Sequence, residues 1–133
     1  MRSRFDELAE IWFKKAEEDF LWAKSSFKGR SFGGACFVCQ QVAEKSLKAY
    51  LFFKRERLVR THNLIELLKL ARKHNEDFQR LYPTCQQLNK YYTDTRYPDI
   101  WDYSRFEDKK LAQEALKLAR EVVGFVKNRL KLS

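Results

Sequence analysis

At 133 residues, the chain is long enough for one domain, spanning 1–133, with a hydrophobic core that needs no disulfide or metal to hold it. Four Gly and two Pro among abundant Leu, Ala, Lys, Glu, Arg and Gln exclude a turn-rich β-sandwich and a disordered chain, and predict an all-α fold. A formal net charge of +9 fits an anionic partner such as RNA, a nucleotide or an acidic protein, or else a solvated Lys/Arg surface.

The first predicted helix runs from about Arg4 to Phe27, where Phe5, Leu8, Ala9, Trp12, Ala16, Phe20, Ala23 and Phe27 form one stripe with Asp19 at its edge. Gly29 is placed to end it in a left-handed conformation and Ser31 to cap the next helix. So short a connection makes the two helices antiparallel neighbours. The second helix, from about Phe32 to Phe53, carries apolar residues on more than one side and is expected to be the central element.

A basic connection, Lys54-Arg55-Glu56-Arg57-Leu58-Val59-Arg60, precedes Asn63 and Glu66, which resemble a capping box. A third, shorter helix with Leu64, Leu67, Leu68 and Ala71 then ends near His74. Pro83 suits the first position of a fourth helix containing Leu88, Tyr91 and Tyr92. Residues 93–103 read as an irregular loop, and Ser104 with Glu107 as a further capping box. The last helix carries Leu111, Ala115, Leu118, Ala119, Val122, Val126 and Leu130. The predicted architecture is an up-and-down helical bundle of three long helices plus two shorter ones.

No apolar run reaches the length of a membrane span, and residues 1–7 turn acidic without an apolar signal core. Three cysteines, an odd number, do not suggest a secreted disulfide framework, so the expected compartment is the cytoplasm. Cys36-x-x-Cys39 has no second pair and no histidine near it; it reads as two small residues packing on a helix rather than as a zinc site. There is no Gly-rich phosphate loop and no nucleophile elbow, and nothing calls for a metal or cofactor.

Three polar groupings stand out. Gln40, Glu44 and Lys48 fall at i, i+4 and i+8 on one face of the second helix, with Gln41 and Lys45 on the adjacent face. Charges on a helix covered all round mean either a buried network or a binding cleft. Arg57 and His62 offer a cation and an imidazole suited to metal-independent RNA cleavage, or else His62 only organises the start of the third helix. In Arg96-Tyr97-Pro98-Asp99, Pro98 stiffens the loop and Arg96 can pair with Asp19, with Glu44 or with a ligand phosphate.

Four segments in order resemble the HEPN domain family: Ala16-x-x-Asp19-Phe20-x-x-Ala23, the run from Gln40 to Ala49, Thr61-His62-Asn63-Leu64, and Thr95-Arg96-Tyr97-Pro98-Asp99. The resemblance spans nearly the whole chain. It implies a helical bundle that dimerises, and relatives that pair with a minimal nucleotidyltransferase in a toxin–antitoxin arrangement. Active relatives cut RNA with an Arg-x(4–6)-His motif near a late helix; here no histidine follows His74, and the Arg57/His62 spacing lies earlier in the chain. The expected function is therefore a nucleotide-, RNA- or partner-binding module in a cleft lined by Asp19, Glu44, Lys48, His62, Arg96 and Asp99, rather than an enzyme. The alternatives are a metal-independent endoribonuclease using Arg57 and His62, and a purely structural dimeric interaction protein.

Overall fold

The computed structural model describes residues 2–95 and 107–131, with the backbone alone at 93–95. Arg96 and Asp99 lie outside the described residues. Five α-helices follow in order: α1 (Arg4–Lys28), α2 (Phe32–Phe53), α3 (Leu64–His74), α4 (Tyr82–Thr95) and α5 (Lys109–Lys127). A 3-10 turn, Glu76–Leu81, leads into α4, and there is no strand among the described residues. The three long and two shorter helices are those the sequence predicts. No helix among the described residues is long and apolar enough to cross a membrane.

Helix α1 starts at a reciprocal cap: the Ser3 hydroxyl accepts from the Asp6 amide at 3.2 Å, and the Asp6 carboxylate accepts from the Ser3 amide at 3.3 Å. It buries Ala9, Phe13, Ala16, Asp19 and Ala23. Phe13 lies inside, whereas Trp12 and Phe20 from the predicted stripe sit at its half-buried border. The contacts of α1 with α2 run in opposite senses along the two helices: Phe27 meets Phe32, Asp19 meets Lys45, Trp12 meets Phe52 and Asp6 meets Arg55. The pair is therefore antiparallel, as its three-residue connection requires.

The reversal differs from expectation in detail. Gly29 keeps an ordinary φ of −80°, and Arg30 takes the left-handed turn at φ 63°. Ser31 makes no side-chain cap. Glu107 supplies it from far along the chain, its carboxylate accepting from the Phe32 amide at 3.2 Å and the Gly33 amide at 2.9 Å. A full negative charge on the open N–H groups of α2 also opposes the positive end of the helix dipole. Glu107 is thus committed to α2, and Asp108 caps α5 by accepting from the Lys110 and Leu111 amides. Of the expected Ser104–Glu107 box, Ser104 lies outside the described residues, and Glu107 faces α2 rather than α5.

Helix α2 is central: 17 of its 22 residues are buried, and it packs against α1, α3, α4 and α5. Helix α5 presents Ala112, Ala115, Ala119, Val122 and Val126, small enough for close approach, while Leu111, Leu116 and Leu118 flank the contact. Phe78 of the 3-10 turn, absent from the predicted core, is fully buried between Tyr50 (ring centroids 4.4 Å apart) and Phe125 (4.9 Å). That turn runs directly into α4, so α4 begins one residue before Pro83.

The basic connection is pinned at both ends. Arg55 turns left-handed at φ 69° and its guanidinium reaches Asp6 at 3.0 Å, holding that carboxyl below its usual range. Glu56 meets His74 at 3.2 Å. Asn63 caps α3 by accepting from the Ile65 and Glu66 amides, and Asn89 of α4 accepts from the Leu64 amide at 2.8 Å.

Two outcomes follow. Glu107→Ala should lower unfolding free energy by about 1 kcal/mol, the usual worth of an N-cap, in urea titrations, whereas Ser31→Ala should change it little. Cys36 and Cys85 are buried, and burial pushes each thiol up to about 12; it raises Cys39 too. Because the thiolate is the nucleophile, all three should resist iodoacetamide at pH 8 in the folded protein and react at once in denaturant, read by mass spectrometry.

Candidate functional site

The i, i+4, i+8 face of α2 turns inward under the segment that enters α3. Glu44 is 3% exposed and Lys48 6%. The Lys48 ammonium lies 2.9 Å from Glu44 Oε2. His62 Nδ1 lies 3.0 Å from Oε1 and 3.1 Å from Oε2 of the same carboxylate. The amide of Gln40 donates to the His62 carbonyl at 3.0 Å, fixing the backbone that carries the imidazole, and the amide of Gln41 donates to Gln40 Oε1 at 2.7 Å. An ionised carboxylate only accepts, so Nδ1 carries a proton and Nε2 is the ring nitrogen left for other partners.

The His62 side chain is half exposed and stacks on Tyr92, with centroids 4.5 Å apart and planes at 20°. Tyr92 in turn stacks with Phe37 at 6.1 Å. On the other side the Lys48 ammonium sits 5.6 Å from the centre of the Trp12 ring, a cation–π contact. Trp12, Lys48, Leu58, Val59, Arg60 and His62 line a groove of about 240 Å³. Of the buried ion pair, the Lys48 side lines it, beside basic and apolar side chains.

Of the predicted residues, the structure therefore unites Glu44, Lys48 and His62. Asp19, 5% exposed, belongs to a separate pair with Lys45 beside it. Both carboxylates that Arg96 was expected to engage thus hold a lysine of α2. Arg57 is exposed on the connection, and the arginine lining the groove with His62 is Arg60. The sequence reading missed Arg60 as a site residue; Trp12 and Tyr92, aromatics that could stack on a base or serve as core anchors, were not placed in the predicted cleft. The signal for Arg60 was its two-residue offset from His62: side chains two apart share a side in extended backbone. Among the described residues, no three His, Cys, Asp or Glu side chains are grouped as metal ligands.

Removing one member of so buried a pair strands a charge. Glu44→Ala should cost about 3–5 kcal/mol of stability. Glu44→Leu combined with Lys48→Met should recover most of that loss, because no charge then stays behind. Urea unfolding of the two variants measures the difference.

Comparison with known proteins agrees with this architecture. The sequence profile of the HEPN domain matches residues 9–129. A protein of Methanocaldococcus jannaschii named "Putative toxin MJ1304" is 29% identical over 92% of this chain and 88% of its own length. The crystal structure of ST0689, an archaeal HEPN homologue, superposes with a TM-score of 0.76 at 30% identity, covering 92% of this chain and 98% of that one. The crystal structure of TT1696 from Thermus thermophilus gives 0.77 at 31% identity, covering 90% and 96%. A profile match over nearly the whole chain, carried by a bundle that superposes on a HEPN homologue, places this protein in the HEPN domain family.

Proposed function

We propose that this HEPN domain is a binding module for the phosphate groups of a nucleotide or RNA strand, which it holds in the groove over Glu44 and Lys48. The observation that carries the reading is a buried carboxylate that fixes two cationic or proton-donating groups, Lys48 and His62, at the floor of a groove rimmed by Arg60. Arg60 offers a planar fork suited to phosphate, and His62, when both ring nitrogens carry protons, donates a further hydrogen bond from Nε2. The Trp12 ring gives an aromatic surface for a base. The net charge of +9 draws anions toward the site. The toxin name of the M. jannaschii relative and the family resemblance support a wider reading: a homodimer working with a nucleotidyltransferase in a toxin–antitoxin-like pair.

The geometry also favours a second reading. A carboxylate that orients Nδ1 and leaves Nε2 available is the arrangement of a general base. With Arg60 in the same groove to offset charge on the phosphate, His62 can take the 2′-hydroxyl proton of RNA without a metal.

One set of variants separates the readings. Arg60→Ala and His62→Ala should each weaken binding of a labelled RNA or of ATP by about 10–100-fold, the worth of one charge-assisted hydrogen bond, with the melting temperature little changed for Arg60→Ala. Unaltered binding by both variants rejects the groove. Cleavage of RNA by the native chain, lost in His62→Ala, establishes the ribonuclease; intact RNA retires it. Purification from the host with its retained protein identifies the partner.

A further inference from the structure

A second basic groove lies where α2 ends and the chain leaves α5. It has a volume of about 650 Å³ and is lined by Phe53, Lys54, Asp77, Asn128, Arg129 and Lys131, with Tyr50 at its base. Three cations face one carboxylate there. Asp77 is already engaged, 3.6 Å from Arg129 and 3.9 Å from Arg80. The Arg129 guanidinium carbon lies over the Phe125 ring, 3.5 Å from its centre, and the side chain donates to the Phe125 carbonyl at 3.0 Å, so its position is fixed. Lys54 and Lys131 are exposed, and among the described residues neither has a carboxylate partner.

This groove and the first are ends of one segment. Lys54 opens the basic connection in the second groove, and Arg60, six positions later, closes it in the first. Arg57 stands exposed between them. Arg55 and Glu56, the other charges of the segment, are turned aside onto Asp6 and His74. Each groove also presents a half-buried aromatic ring beside a lysine, Trp12 with Lys48 and Phe53 with Lys54, the latter 5.6 Å from ring centre to ammonium. Cations spaced along a path with aromatic rings between them are the features that track a single strand of nucleic acid.

We propose that the two grooves and the connection joining them form one track for single-stranded RNA, with Lys54 and Lys131 contacting phosphates beyond those held at the first groove. The inference rests on the phosphate-binding reading given above and extends it from a single nucleotide to a strand. Six residues of chain reach at most about 20 Å. At roughly 3.4 Å per phosphate along a stacked strand, that path accommodates at most about six nucleotides.

The test compares a uridine dinucleotide with a uridine decanucleotide, both fluorescein-labelled, by anisotropy on the full chain. The decamer should bind at least tenfold tighter than the dimer. Lys54→Glu with Lys131→Glu should weaken the decamer at least tenfold and leave the dimer unchanged. The slope of log affinity against log salt should fall by about 1.4, since each single-strand phosphate contact contributes about 0.7. Lys69→Glu with Lys117→Glu makes the same change of net charge on helix surfaces that line neither groove, and should alter decamer binding less than twofold. A native decamer no tighter than the dimer, or equal losses in the two double variants, overturns the track. If decamer binding survives the Lys54/Lys131 change, the track fails and the first groove stands. If the native chain binds neither RNA, both fail together.

Discussion

Everything specific about this bundle turns on the Glu44 carboxylate. It is an ionisable group on the most enclosed helix of the molecule, and burial of such a group is tolerated only with partners on its oxygens. Lys48, one turn along the same helix, supplies one partner, and His62, from a different segment, supplies another. The first contact is local and would form in any helix with that spacing. The second is long-range and draws the entry to α3 down onto α2. Gln40 reinforces it by donating to the His62 backbone. The position of the connecting segment, and with it Arg60 and the groove, follows from this cluster together with the Arg55–Asp6 and Glu56–His74 pairs at the segment's start.

The same cluster explains how a buried network and an open groove coexist. The carboxylate side is engaged: both oxygens of Glu44 have partners, and Asp19 has Lys45. The other side is not closed over. The His62 side chain remains half exposed, and Lys48 reaches the Trp12 ring at the groove wall. Negative charge is thus fixed inside the bundle, and positive charge is presented at its surface. In the proposed phosphate-binding reading, that asymmetry would spare Lys48 and His62 the loss of side-chain freedom that a flexible contact usually entails on binding.

How much of this was legible beforehand depends on the range of the interaction. The helices themselves were, because capping residues and apolar spacing act within a few residues: α2 and α3 fall where the pattern of Phe32 to Phe53 and Leu64 to His74 places them. The polar face of Gln40, Glu44 and Lys48 was legible for the same reason, and so was its conflict with burial. Phe78 was not, since a short 3-10 turn has no periodicity to reveal which residue faces in. Neither was the replacement of Ser31 by Glu107 as the cap of α2, a contact across 74 positions that no local rule contains.

By itself the sequence determined an all-helical bundle, the central place of α2 and the presence of charges that needed partners, because each of these follows from local spacing and composition. Tertiary structure alone decided which partners they took. It gave Glu44 to His62, gave Asp19 to Lys45, and set Arg60 rather than Arg57 at the groove. The physical reason is that a charge brought out of water pairs with whatever the packing of other helices delivers to within about 3 Å, and that delivery is fixed by the fold as a whole.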